Sequence, residues 1–101
     1  MKDELFSFDD VLLKPQYSNV MSRKDVDLST HIGHVELSVP VLAANMDTVC
    51  EEDMAMAMHG LGGLGILHRN LSVDVRVRTI KSAFIYDRRI GVAVGVNEFN
   101  K

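Results

Sequence analysis

Val41-Leu-Ala-Ala44, followed at once by Asn45-Met-Asp-Thr-Val-Cys-Glu51, is the stretch on which the fold turns. An apolar run with no polar alternation is what a strand buried on both faces requires. The polar residues after it open a helix. Thr48 and Glu51 have the spacing of a capping box, in which two side chains reciprocally satisfy orphan backbone N–H groups. Glu51, Glu52 and Asp53 add negative charge where the helix dipole favours it. The helix is expected to run to about His59, with Met54, Met58 and Leu61 on one face and Gly60 as terminator.

The same grammar repeats downstream. Leu64-Gly-Ile-Leu67 reads as a second buried strand. Asn70 or Ser72 can cap a second helix, in which Val73, Val77, Ile80 and Phe84 form a helical stripe. Ile90-Gly-Val-Ala-Val94 is a third buried strand, and Asn97-Glu-Phe99 the start of a third helix. Upstream, Phe6 to Pro15 reads as extended chain. Val26–Thr30 and Val35–Val39 alternate at period two around a turn at Gly33, which predicts a hairpin. Strand and helix in alternation with short connections indicate a parallel α/β architecture, doubly wound or barrel. No linker, repeat or low-complexity segment interrupts residues 1–101, so they form one domain, and an incomplete one if the architecture is a (β/α)8 barrel.

Composition narrows the class of function. A net charge of −3 with no basic block gives no reason to expect nucleic acid or an anionic membrane as partner. No apolar run approaches the ~20 residues of a membrane span, and acids follow Met1-Lys2 where a signal peptide would turn apolar. The single cysteine, Cys50, allows no internal disulfide and suits a reducing compartment, so a cytoplasmic location is expected.

Gly60-Leu-Gly-Gly-Leu-Gly65 matches a dinucleotide-binding string, but it follows a helix and precedes a strand, the reverse of the order phosphate binding needs. A tight return from helix to strand explains these glycines better. Cys50 stands beside three acids, which oppose thiolate formation, and reads as a small apolar residue. His31, His34, His59 and His68 lack metal-ligand spacing, so no metal site is expected. Two clusters stand out. Asn45-Met46-Asp47 and His68-Arg69-Asn70 follow the first two buried strands, at the ends that face the active site of a parallel barrel. Capping and turn formation would select the same residue types, and the pattern alone leaves both readings open.

Phe8-Asp-Asp-Val-Leu-Leu-Lys-Pro15, Val26-Asp-Leu-Ser29, Pro40-Val-Leu-Ala-Ala-Asn-Met-Asp-Thr-Val49 and Gly62-Gly-Leu-Gly-Ile-Leu-His-Arg-Asn70 resemble, in order, landmarks of the IMP dehydrogenase/GMP reductase family. The resemblance runs from Phe8 to about Val96 and implies the N-terminal part of a TIM (β/α)8 barrel, homotetrameric, acting on the purine C2 of GMP or IMP through a cysteine adduct. It further implies that Met46 packs against the nucleotide, with Asn45 beside it, and that Asp47 holds the loop. Arg69 stands near the cofactor where many GMP reductases carry lysine; arginine keeps the charge but does not readily release a proton. Ala44 replaces a serine that some IMP dehydrogenases place near the nucleotide.

The pair Ser22-Arg23 resembles GMP reductases, in which it reaches the cofactor of a neighbouring subunit, and an arginine there suits the 2′-phosphate of NADPH. The regulatory CBS insert usual in IMP dehydrogenases is absent, since the chain runs directly from Tyr86 into the third strand. Both features, and Asn45 in Ala44-Asn45-Met46-Asp47, lean toward GMP reductase, while Gly62 to Asn70 reads more like an NAD-dependent IMP dehydrogenase. The family's nucleophilic cysteine, phosphate loops and K+ site have no counterpart in residues 1–101, so no catalytic residue is assigned and the chain alone is expected to be inactive and marginally stable. Readings from other classes are a module that pairs with a complementary fragment through its open sheet edge, and the relic of a broken gene.

Overall fold

The computed structural model describes residues 3–98. Residues 3–29 form an exposed arm, interrupted by 3-10 turns at Phe8–Asp10 and Arg23–Asp25. Ser7 and Asp10 close the first turn, Ser7 N–H donating to the Asp10 carboxylate at 2.9 Å. The turn at Phe8–Asp10 interrupts the extended chain expected from Phe6 to Pro15. Outside its two 3-10 turns the arm has no regular secondary structure, and its apolar side chains Phe8, Leu12 and Leu13 face outward.

A hairpin follows. Thr30–Ile32 (β1) and Val35–Leu37 (β2) pair antiparallel, with Thr30 opposite Leu37 and Ile32 opposite Val35. Gly33 takes φ +57 in the connecting turn, a conformation that glycine adopts without steric cost. The hairpin is shorter than Val26–Thr30 with Val35–Val39, and its first strand lies further along the chain. The cause is local at each end. The Asp27 carboxylate accepts from Ser29 N–H at 2.9 Å and bends the chain before a strand can begin. The same contact, with the Ser29 hydroxyl, holds the Asp27 carboxyl below its ordinary range. Val39 N–H donates to Gly62 O at 3.1 Å, drawing the other end away from the hairpin.

Three parallel strands then carry the core: Leu42–Ala43 (β3), Leu64–Leu67 (β4) and Gly91–Val92 (β5), in the order β3-β4-β5. Leu42 lies opposite Leu64, and Leu67 opposite Val92. The crossovers contain Glu52–Gly60 (α1) and Val73–Ile85 (α2). This is the N-terminal part of a (β/α)8 barrel, its sheet unclosed among the described residues. Ala43, Cys50, Ala55 and Leu67 form the core cluster, with Met58, Leu71, Ile90 and Val92 packed against it.

The helices depart from their expected faces. On α1 the buried residue is Ala55, whereas Met54 and Leu61 are exposed and only Met58 packs inward. On α2 the buried residues are Thr79 and Ala83; the stripe of Val73, Val77, Ile80 and Phe84 faces out, with Phe84 86% exposed. On α1 a small residue faces the sheet because the helix lies close to it. A β-carbon added at Gly65 would sit 2.5 Å from Ala55 Cα.

Helix ends differ too. Thr48 does not cap α1. Residues 47–49 form a turn in which Val49 and Cys50 N–H both donate to Met46 O, and Glu51 occupies the cap position in extended conformation without a side-chain cap bond. Gly60 belongs to the helix, and the chain reverses at Gly62, with φ +92. Ser72 rather than Asn70 caps α2, its hydroxyl accepting from Val75 N–H at 3.3 Å. The expected third helix is a 3-10 turn at Val96–Glu98; Phe99 lies outside the described residues.

Candidate functional site

The loops that leave β3 and β4 come together at the C-terminal edge of the sheet. In the first, Met46 N–H donates to Ala44 O at 2.8 Å, and Met46 O receives the N–H groups of Val49 and Cys50 at 2.9 and 3.0 Å. This spends the backbone of Met46 on the turn and leaves Asn45, Met46 and Asp47 with exposed side chains. The Met46 thioether, 54% exposed, offers a flexible apolar surface beside two polar neighbours.

In the second loop His68 is buried, 4% exposed, while Arg69 and Asn70 emerge into solvent. His68 Nδ1 accepts from Asn70 N–H at 3.2 Å. Its other nitrogen therefore carries the proton in the neutral ring and donates to Glu51 Oε1, at 2.9 Å. Glu51 belongs to the first loop, so this bond ties the two loops side chain to side chain. Neither residue of the tie was visible as such in the sequence. Glu51 read as half of a capping box and His68 as part of the His68-Arg69-Asn70 cluster at a strand end, and only the β3–β4 register brings positions 17 apart into contact.

Ser22 and Arg23 lie in the exposed arm, where the Ser22 hydroxyl accepts from Lys24 N–H at 3.3 Å. Among the described residues no hydrogen bond or ion pair joins either of them to Asn45-Met46-Asp47 or to Arg69. The glycine string serves packing: a β-carbon at Gly63 would lie 2.6 Å from Val41 O, and the string runs from the end of α1 into β4 rather than from a strand into a helix. Among the described residues no group of three or more His, Cys, Asp or Glu could hold a metal ion, and no helix is long and apolar enough to cross a membrane.

Cys50 is fully buried beneath α1, its Sγ 3.9 Å from Glu51 O, and burial pushes its thiol pKa up. The folded chain thus holds this proton more tightly than the unfolded chain does. Cys50 contributes its full stability below the unfolded thiol pKa of about 8.5, and loses it as pH rises from there toward the folded value. A urea titration should show the midpoint falling above about pH 8.5 in the native chain, and falling less in Cys50→Ala. Equal slopes in the two proteins would contradict this.

Residues 5–96 match the IMP dehydrogenase / GMP reductase domain. The chain belongs to that family. It is 49% identical over 77 residues to the inosine-5'-monophosphate dehydrogenase of Korarchaeum cryptofilum, covering 76% of this chain and 16% of that protein. It is 48% identical over 84 residues to the GMP reductase of Leishmania donovani, covering 79% of this chain and 17% of that protein. The inosine-5'-monophosphate dehydrogenase of Staphylococcus aureus is 50% identical over 72 residues, 70% of this chain and 14% of that protein. The chain thus spans about a sixth of the length of these relatives, and family members of both names match at similar identity.

Proposed function

We propose that these residues supply the first part of the nucleotide rim of a purine-nucleotide oxidoreductase of the GMP reductase type, which converts GMP to IMP with NADPH. The observation that carries this reading is the joined pair of loops at the C-terminal edge of β3 and β4, the edge at which parallel barrels act. Met46 would lie against the purine, Asn45 would line the same rim and Asp47 would brace the loop.

The guanidinium groups of Arg23 and Arg69 are exposed and have no ion-pair partner among the described residues, which fits a role in holding phosphate. Arg23 would serve the 2′-phosphate of NADPH in a neighbouring subunit of a homotetramer, with Ser22 beside it. NADPH, when bound, supplies the hydride. Arg69 holds positive charge near it and is a poor proton donor. The attacking cysteine and the K+ site belong to parts of the family's barrel not represented in residues 1–101.

An NAD-dependent IMP dehydrogenase without CBS domains is the second reading, favoured by the 49% identity to a relative of that name. Assay of a polypeptide in which these residues are joined to a whole barrel separates the two. NADPH oxidation with GMP is expected, and Arg23→Ala should raise the KM for NADPH about tenfold with little change in kcat. NAD+ reduction with IMP would transfer the assignment to the dehydrogenase. The 101-residue chain alone should catalyse neither reaction, and turnover by it would overturn the proposal.

A further inference from the structure

The strongest unassigned feature is the part-buried polar pair that joins the two loops. His68 is 4% exposed and both of its ring nitrogens are engaged, one by its own loop through Asn70 N–H and the other by Glu51. Glu51 has a 58% exposed side chain, yet it is turned onto the histidine instead of capping α1. Glu51 stands at the N-cap of α1 and makes no side-chain cap bond there. Its one side-chain bond among the described residues runs between loops.

We propose that Glu51 and His68 form a clamp that positions the rim. Glu51 fixes the Ala44–Glu51 turn, which presents Asn45, Met46 and Asp47. His68 fixes the following turn, which presents Arg69 and Asn70. The hydrogen bond between them sets the spacing of the two sets of side chains. Both are positioning residues, and neither is assigned contact with the nucleotide. Both bonds are carried by one imidazole ring, so a shift of the ring that breaks one strains the other. The role of the clamp in nucleotide binding rests on the purine-nucleotide reading; the clamp itself does not.

Amide hydrogen exchange on the full 101-residue chain tests it without nucleotide. Asn70 and Cys50 report the two turns, while Leu64, bonded to Val41 O, and Ala93, bonded to Leu67 O, report the sheet. Glu51→Ala should accelerate exchange at Asn70 and Cys50 about tenfold and leave Leu64 and Ala93 within about twofold. Glu51→Gln keeps an oxygen that can accept from Nε2, and should stay within about threefold of the native chain at every site.

The clamp is overturned if Glu51→Ala leaves Asn70 unchanged, or if Glu51→Gln matches Glu51→Ala. It is also overturned if the sheet amides accelerate as much as the loops, loss of the fold included, or if the native chain protects none of these amides. Exchange with GMP and with IMP, measured on the polypeptide in which these residues are joined to a whole barrel, addresses the functional reading alone. Loop exchange slowed by neither nucleotide, with the clamp results as expected, removes the purine assignment and leaves the clamp standing.

Discussion

Gly65→Val is expected to abolish the cooperative fold of the chain. An ideal β-carbon at Gly65 falls 2.5 Å from Ala55 Cα, 3.0 Å from Ala55 Cβ and 3.1 Å from Cys50 Sγ. The first of these is helix backbone, so no rotamer change relieves the clash. α1 must lift from β4, and the core cluster opens where Cys50, Ala55 and Leu67 meet. Overpacking of a core costs about 1–3 kcal/mol when side chains can adjust, and more when backbone has to move. A domain of this length has roughly 5 kcal/mol in total.

Circular dichroism on heating should show no sigmoidal transition for Gly65→Val and a lowered midpoint for Gly65→Ala. Gly33→Ala is the control. It meets nothing within 4 Å, but at φ +57 it carries left-handed strain of about 1–2 kcal/mol. A Gly65→Val melt as cooperative as that control would show that α1 does not rest on β4 as described.

The importance of Gly65 also shows where sequence patterning succeeds and fails in this chain. The three parallel strands were legible as continuous apolar runs, but only β4 is largely buried; Val41 and Leu42 of the first run are about half exposed and β5 is only partly buried among the described residues. The helix faces were not. Hydrophobic periodicity assumes that the largest apolar residues face the core, whereas close helix–sheet approach over Gly63 and Gly65 selects Ala55, and α2 buries Thr79 and Ala83. The apolar stripe of α2 is real as a pattern but lies on the exposed side among the described residues.

The candidate site divides in the same way. Asn45, Met46, Asp47, His68, Arg69 and Asn70 could be singled out because strand ends in a parallel sheet have a known polarity, and the structure puts both sets on one edge. The Glu51–His68 bond could not, because it depends on the register between β3 and β4. The T-x-x-E spacing at Thr48 and Glu51 was a plausible local signal that a longer-range partner outcompeted. Ser22 and Arg23 were singled out by family resemblance alone, and their arm shows no bond to the rim among the described residues.

Leu67→Ala carries the second large effect, and it links the core to the rim. Leu67 is fully buried in β4, opposite Val92 of β5 and within the cluster of Ala43, Cys50 and Ala55. Truncating a leucine so placed costs about 2–5 kcal/mol, the larger values arising where neighbours cannot collapse into the space. Collapse is limited here, because Ala43, Cys50 and Ala55 are already small and tied to backbone elements that are hydrogen-bonded in place. The urea midpoint of Leu67→Ala should therefore fall by well over half, with Leu67→Met losing less than ~1.5 kcal/mol.

Leu67 also sets the depth of His68, the next residue. A relaxed β4 end would let the imidazole move toward water and part it from Glu51. Asn70 amide exchange in Leu67→Ala should then rise even in conditions where the sheet amides remain protected, since the loop opens before the strands separate. If Asn70 keeps its native protection in Leu67→Ala while stability falls, the rim is held by its own hydrogen bonds rather than by the core beneath it.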